Sequence, residues 1–217
     1  MLVVGLTGDV GAGKSTISRA WHERGAVLID SDEIVRALWK TGQLRSAAFE
    51  RFGSRAFNEE NGEVDLAFVA AAVFTSPEHY NWVCSLLHPL VLNRIETRIE
   101  MLDGWIVVEL PLLFEAGRPP WLDLVVYVTA AEEVRIARTQ YRGWKTGELE
   151  RREKWLLPLK EKTLLADIVI ENDGTRDDLE RLAKSLGAKM EALSKTRGKN
   201  RILRPAERKQ LLEAIRA

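Results

Sequence analysis

The sequence predicts an α/β fold, a five-stranded parallel sheet flanked by helices, with a long helical insert and a lid. Three observations carry this. Short apolar runs alternate with longer helical patterns, the signature of βαβ units. The apolar runs lack polar alternation, as strands do when helices cover both faces of the sheet. The first run leads directly into Gly8-Asp9-Val10-Gly11-Ala12-Gly13-Lys14-Ser15, a complete G-x-x-x-x-G-K-[ST] pattern set between a strand and a helix.

Taken in order, residues 2–7 are a short buried strand and residues 14–24 a helix, with Gly25 as its stop. Residues 26–30 (AVLID) form the second strand. A helical stretch follows over about 32–102, with a fresh start at Ser76-Pro77, where Ser caps and Pro takes the first helical position. It is too long for a simple crossover and reads as a helical subdomain. Residues 105–109 (WIVVE) are the third strand and 122–128 the fourth. The next helix opens on Thr129-Ala130-Ala131-Glu132, a capping-box pattern. Residues 138–165 are charged and interrupted by Gly143, Gly147 and Pro158, and read as a mobile helical flap. Residues 167–171 (DIVIE) are the fifth strand, and 175–186 a helix closed by Gly187.

Composition excludes several classes. The chain has 217 residues, 46% hydrophobic and 29% charged, enough to bury a core without disulfides or a structural metal. The lone Cys84 excludes an internal disulfide and a cysteine-based zinc site, and fits a reducing cytosol. Lys+Arg and Asp+Glu balance at 32 each, so no global field favours nucleic acid or membrane. No apolar run reaches the roughly 18–20 residues of a membrane span, and the N-terminus lacks a basic leader. A cytoplasmic monomer is expected. One asymmetry is hidden in the balance: residues 195–217 carry eight basic and two acidic side chains. This basic tail, ending in a short amphipathic helix over 205–216 with Leu211, Leu212 and Ile215 on one side, is expected to be loosely docked and dispensable for chemistry. It is the one place where a nucleic acid would find positive charge.

The Gly8–Ser15 pattern has a specific chemistry. Glycines let successive N–H groups turn inward as an anion nest, and the following helix N-terminus adds partial positive charge. Lys14 is expected on the β- and γ-phosphates of a nucleotide, the Ser15 hydroxyl on Mg²⁺, and Thr16 near the α-phosphate. Gly8, Gly11, Ala12 and Gly13 supply the backbone. Asp9 is unusual beside phosphates and is expected to turn outward. Asp30-Ser31-Asp32 sits at the C-terminal end of the second strand, the edge where open parallel sheets bind ligands. A kinase acting on an alcohol needs a carboxylate there to orient the hydroxyl and take its proton. Asp32 is assigned as that base. Asp30, followed by Glu33, also fits a helix capping box.

Together with Leu87-His88-Pro89, Glu109-Leu110-Pro111-Leu112-Leu113-Phe114-Glu115 and the Ala166–Gly174 element, these residues resemble the dephospho-coenzyme A kinase family from residue 1 to about 190. The resemblance implies a P-loop kinase fold, with one kinase domain over 1–194, an acceptor-binding insert over about 34–101 and a lid over about 138–162. It implies ATP and Mg²⁺ as cofactors and dephospho-coenzyme A as the substrate phosphorylated on its ribose 3′-hydroxyl. Residue by residue, it implies lid arginines at Arg138 and Arg142, an adenine-end element at Asn172 and Gly174, and an acceptor side at His88, Pro89 and Leu112. The chain departs from the family pattern at Asp9 (usually Gly), Glu109 (usually Asp), Leu66 (often Arg) and Leu156 (usually Gln).

The remaining candidates carry two readings each. Glu109 holds a metal-bound water or pairs with a base at the core edge. Trp144 stacks on an aromatic ring or caps the flap. His88 reads as a helix-boundary residue before Pro89 rather than an acid–base group. Arg138 and Arg142 read as phosphate clamps or as part of a solvated helix face like Arg151 and Arg152. Rival functions are another small-acceptor kinase of shikimate or nucleoside type, and a nucleotide-binding switch using the basic tail; a guanine-specific N-K-x-D is absent from the sequence.

Overall fold

Five apolar segments pair side by side in the computed structural model, which describes residues 1–141, 143–197 and 205–216. They are β1 (Leu2–Gly8), β2 (Val27–Asp30), β3 (Trp105–Glu109), β4 (Leu124–Thr129) and β5 (Ile168–Glu171). Every pairing is parallel, and the spatial order is β2-β3-β1-β4-β5. Parallel neighbours need crossovers, and the helices that make them bury both faces of the sheet. All of β4 and nearly all of β1 and β3 are therefore buried. The chain builds the β2 side first and then crosses to β4, so β1 lies at the topological switch point. Its C-terminal end is where the ligand crevice of such a sheet opens.

The chain divides into a sheet unit, Met1–Asp30 with Ile95–Ala217, and a helical unit, Ser31–Arg94. In the sheet unit α1 (Lys14–His22) packs against α10 (Arg176–Thr196). Trp21 lies fully buried between them, its indole N–H donating to the Ala183 carbonyl at 2.9 Å and its ring 5.7 Å from that of Trp105. Thr175 caps α10 in a reciprocal box with Asp178. The helix does not stop at Gly187. It runs nine residues further, because Gly187 is a packing site rather than a terminator: a Cβ there would stand 2.8 Å from Trp21 Cδ1.

The tail is also docked more firmly than its polarity suggests. In α11 (Pro205–Arg216), Leu211 and Ile215 are 7% and 5% exposed and join the cluster that holds Trp21 and Met190. Lys189 Nζ donates to the Ile215 carbonyl at 2.9 Å. Ahead of it, Arg197 pairs with buried Asp123 at 3.2 Å, and the N-terminal ammonium donates to the Arg197 carbonyl at 2.9 Å. The spacing of Leu211 and Ile215 puts both on one helical face, and apolar burial there outweighs the repulsion among the surrounding cations.

The helical unit comprises α2 (Ser31–Leu38), α3 (Gly42–Phe52), a 3₁₀ turn (Gly53–Ala56), α4 (Leu66–Val73) and the first three-quarters of α5 (Pro77–Glu100). Phe52 organises it, with rings of Phe68, His79 and Trp82 at 5.1–6.0 Å in edge contacts. Asp65 caps α4 through Ala67 and Phe68 N–H groups. Ser76 Oγ accepts from His79 N–H as α5 begins at Pro77, as the sequence predicts. His88 is not at a helix boundary: α5 runs straight through Pro89. An interior proline costs roughly 3 kcal/mol. Buried Leu87, Val91, Ile95 and Ile99, four residues apart on one face, offset it. Among the described residues no helix is long and apolar enough to cross a membrane.

Two substitutions test this packing. Gly187→Ala gains helix propensity but forces a methyl into a tryptophan ring that is fully buried and pinned by its hydrogen bond. The overlap dominates, and urea unfolding should show a net loss of about 1–3 kcal/mol; an equal or more stable variant contradicts the packing. Leu211→Ala should cost about 2–4 kcal/mol by the same measurement, whereas a loosely docked tail would give a change near zero.

Candidate functional site

The loop between β1 and α1 is shaped by what its backbone cannot accommodate. A Cβ on Gly8 would lie 2.2 Å from the Val128 carbonyl oxygen, so β4 presses directly against the strand end. Gly13 closes the loop at φ 108°, and a Cβ there would lie 2.7 Å from Asn172 Nδ2. No side chain caps α1. A helix start of this kind, with the positive end of its dipole facing the loop, favours an anion.

The loop carbonyls are turned the other way and taken up by named donors. Lys14 Nζ reaches back to Gly8 O at 2.6 Å and Asp9 O at 3.0 Å, which poises its ammonium over the nest. Asn172 Nδ2 donates to Ala12 O at 2.7 Å from a position 6% exposed. Arg138, on α7 (Glu132–Tyr141), reaches Gly11 O at 3.4 Å and Gly174 O at 3.3 Å. Thr16 N–H closes on Gly13 O at 3.0 Å. Ser15 is exposed at the helix start. The structure therefore brings Gly8, Gly11, Ala12, Gly13, Lys14, Ser15, Thr16, Arg138, Asn172 and Gly174 together around one loop. Asn172, which the family resemblance assigns to the adenine end, gives its amide N–H to the loop backbone.

Asp9 is the main surprise. Rather than turning outward, it is 5% exposed. Its Oδ2 accepts from the Tyr127 and Thr129 hydroxyls, each at 2.7 Å, and Oδ1 from Lys162 Nζ at 3.1 Å. Burial pushes its carboxyl up, but the two hydroxyl donors and the Lys162 charge outweigh that and hold it below the usual carboxylate range. Burial and the Asp9 charge raise the Tyr127 phenol well above its ordinary value. At neutral pH Asp9 is thus an anion beside a protonated phenol. Thr129, expected as a helix cap, is the last residue of β4 and gives its hydroxyl to Asp9; the Ala131 N–H at the helix start goes to Asp173 Oδ1 at 2.6 Å.

Around the loop, Glu109 ends β3 in register with Asp30 of β2, so two carboxylates stand on adjacent strand ends. Leu112 sits half-buried at the start of α6 (Leu113–Ala116), and Glu115 Oε1 accepts from Leu157 N–H at 3.0 Å, tying this turn to the segment around Leu157. Helix α8 (Glu148–Glu153) is joined to α7 by an Arg135–Glu153 ion pair. The Trp144 ring is covered by the Arg152 guanidinium at 4.4 Å. Arg142 lies outside the described residues. Asp32, His88 and Pro89 belong to the helical unit: Asp32 is exposed in the first turn of α2, His88 half-buried and Pro89 exposed in α5. Sequence reasoning missed Tyr127, Thr129 and Lys162. The only signal was Asp9 itself, an acid in a phosphate loop that must find counter-charge somewhere.

Residues 2–178 match the dephospho-CoA kinase family. A dephospho-CoA kinase of Corynebacterium diphtheriae is 35% identical over 86% of this chain and 96% of its own length. One of Geobacillus kaustophilus is 33% identical over 89% and 99%. A crystal structure of a Thermus thermophilus protein superposes with a TM-score of 0.71 at 29% identity, covering 91% of this chain and 98% of that one.

Gly13→Ala should damage the nest directly, since the new methyl meets both Asn172 and, at 2.8 Å, Leu179 Cδ2 in a left-handed backbone. A strain of about 1–3 kcal/mol is expected. Titration with a nucleoside triphosphate should show affinity at least about tenfold weaker, at about 1.4 kcal/mol per decade; unchanged affinity would place the anion elsewhere.

Proposed function

The chain belongs to the dephospho-CoA kinase family, and we propose that it transfers the γ-phosphoryl group of ATP to the ribose 3′-hydroxyl of dephospho-coenzyme A, giving coenzyme A and ADP. The observation that carries the reading is the loop itself: an α1 start that no side chain caps, with the Lys14 ammonium folded back onto the Gly8 and Asp9 carbonyls.

The residues divide the work by chemistry. The nest and Lys14 bind the β- and γ-phosphates and offset the charge that shifts onto the leaving oxygen. Arg138, anchored on Gly11 and Gly174 carbonyls, adds positive charge at the same loop; Arg142 is assigned alongside it. Asp32 orients the acceptor hydroxyl and takes its proton as the new P–O bond forms and the β,γ-bridging P–O bond breaks. His88, Pro89 and Leu112 are assigned to the acceptor side. The donor set fits Mg²⁺: the exposed Ser15 hydroxyl would hold the ion, and Glu109, in register with Asp30, would hold it through water. Among the described residues no group of three or more acidic, His or Cys side chains could cage a metal alone. Mg²⁺ would therefore take most of its ligands from phosphate and water, and would neutralise charge between the β- and γ-groups. A cytosolic setting, supported by the lone cysteine, and a monomeric state complete the reading.

ADP release should depend on the acceptor, with dephospho-coenzyme A preferred over shikimate or nucleosides; turnover with those and none with dephospho-coenzyme A overturns the reading. Asp32→Asn keeps the size and one acceptor oxygen but cannot take a proton. Its kcat should fall by roughly 10²–10⁴, with ATP affinity and melting temperature little changed. Full activity in that variant would remove Asp32 from the chemistry.

A further inference from the structure

Asp9 brings a negative charge into a loop whose purpose is to attract anions. Its main-chain carbonyl is 3.0 Å from Lys14 Nζ, so the residue borders the phosphate nest. Its carboxylate is buried and ionised, which puts a full charge near the ligand with little water to screen it. Tyr127 and Thr129 satisfy Oδ2 with hydrogen bonds, but both are neutral. The Oδ1 side receives the ammonium of Lys162, itself 7% exposed and 6.0 Å from the Tyr127 ring centroid. Lys162 belongs to α9 (Leu159–Leu165), more than 150 residues along the chain from the loop. A buried lysine is expensive to keep unless it compensates something equally buried.

We infer that Lys162 is a positioning residue that neutralises Asp9, so that the phosphate loop keeps its attraction for a polyphosphate. The Asp9–Lys162 pair is then an electrostatic insulator: the anion that anchors the loop to β4 is cancelled before it reaches the ligand. This differs from a direct phosphate contact by Lys162, because the effect acts through Asp9 and vanishes when Asp9 is neutral. The inference rests on the phosphate-loop reading, and the two fail separately. Wild-type binding of ATP, lost in Lys14→Ala, reports on the loop; the cycle below reports on the pair.

The test is a double-mutant cycle read by ATP and adenosine affinity, with melting temperature recorded for each variant. Lys162→Met exposes the ligand to an uncompensated anion, so ATP should bind at least tenfold more weakly while adenosine affinity is unchanged. Asp9→Asn keeps acceptors for the two hydroxyls and removes the charge; ATP should bind as tightly as to wild type or more tightly. Asp9→Asn/Lys162→Met has no anion left to cancel, and its ATP affinity should return to within about threefold of wild type. A role in folding alone would lower melting temperatures without separating ATP from adenosine, and that result overturns the inference. So does unchanged ATP affinity in Lys162→Met, or weakened ATP binding in Asp9→Asn. Should Lys162→Met not fold, the Asp9→Asn and double variants still decide. A double variant that binds ATP at least tenfold more weakly than wild type would assign Lys162 to the phosphate and refute its action through Asp9.

Discussion

An anion nest works only if its N–H groups point inward, and that obliges the carbonyls of the same peptide units to point elsewhere and find donors. The rest of the site follows from this constraint. The Gly8 and Asp9 carbonyls take Lys14, Gly11 takes Arg138, Ala12 takes Asn172 and Gly13 takes the Thr16 N–H. The donors come from α1, from α7 and from the residue just past β5, so the loop needs those three in place at once. Lys14 has two duties in this arrangement. It holds two loop carbonyls, and in the proposed function its ammonium would meet phosphate from that same position.

The same constraint explains why the strands were legible and some helix ends were not. A strand buried on both faces must be apolar throughout, and WIVVE and LVVYVT advertise that without reference to partners. Helix ends are set by contacts the sequence does not display. Gly187 looks like a stop until Trp21 is found against it. Thr129 looks like a cap until the strand is seen to include it and its hydroxyl to face Asp9. Pro89 looks like a boundary, but a face of Leu87, Val91, Ile95 and Ile99 carries the helix past it. At Gly187 and Pro89 a local preference worth about 1–3 kcal/mol yields to burial of larger side chains, and at Thr129 it yields to the strand and the Asp9 hydrogen bond.

The site divides along similar lines. The loop pattern was readable because its chemistry is contiguous: nest, lysine and hydroxyl lie within eight residues. The groups that support it are not contiguous. Tyr127 and Lys162 are separated from Asp9 by 118 and 153 residues, and neither has a type that marks it for this task. Lys162 lies in a charged stretch that reads as a solvated surface, and most of its neighbours are indeed exposed. Asn172 was found as part of an element, yet its duty toward the Ala12 carbonyl could come only from geometry. Tyr127 reaches further: its ring meets Phe114 edge-on at 5.7 Å, so the carboxylate anchor and the Pro111–Glu115 turn share one buried tyrosine.

Stability alone is a poor reason for the Asp9 cluster. Bringing a carboxylate and an ammonium out of water costs several kcal/mol per ion, and their attraction rarely returns more than that. A glycine at the same position, the residue the family pattern usually shows, needs no counter-charge and no buried lysine. What an ionised cluster supplies is direction. Oδ2 fixes the loop to β4 through two hydroxyls of one strand, and Oδ1 accepts only where an ammonium arrives from α9. Apolar packing tolerates sliding by a fraction of an ångström, whereas three hydrogen bonds to one carboxylate do not. The loop is thereby held at its first variable residue, just where its glycines leave the backbone most free.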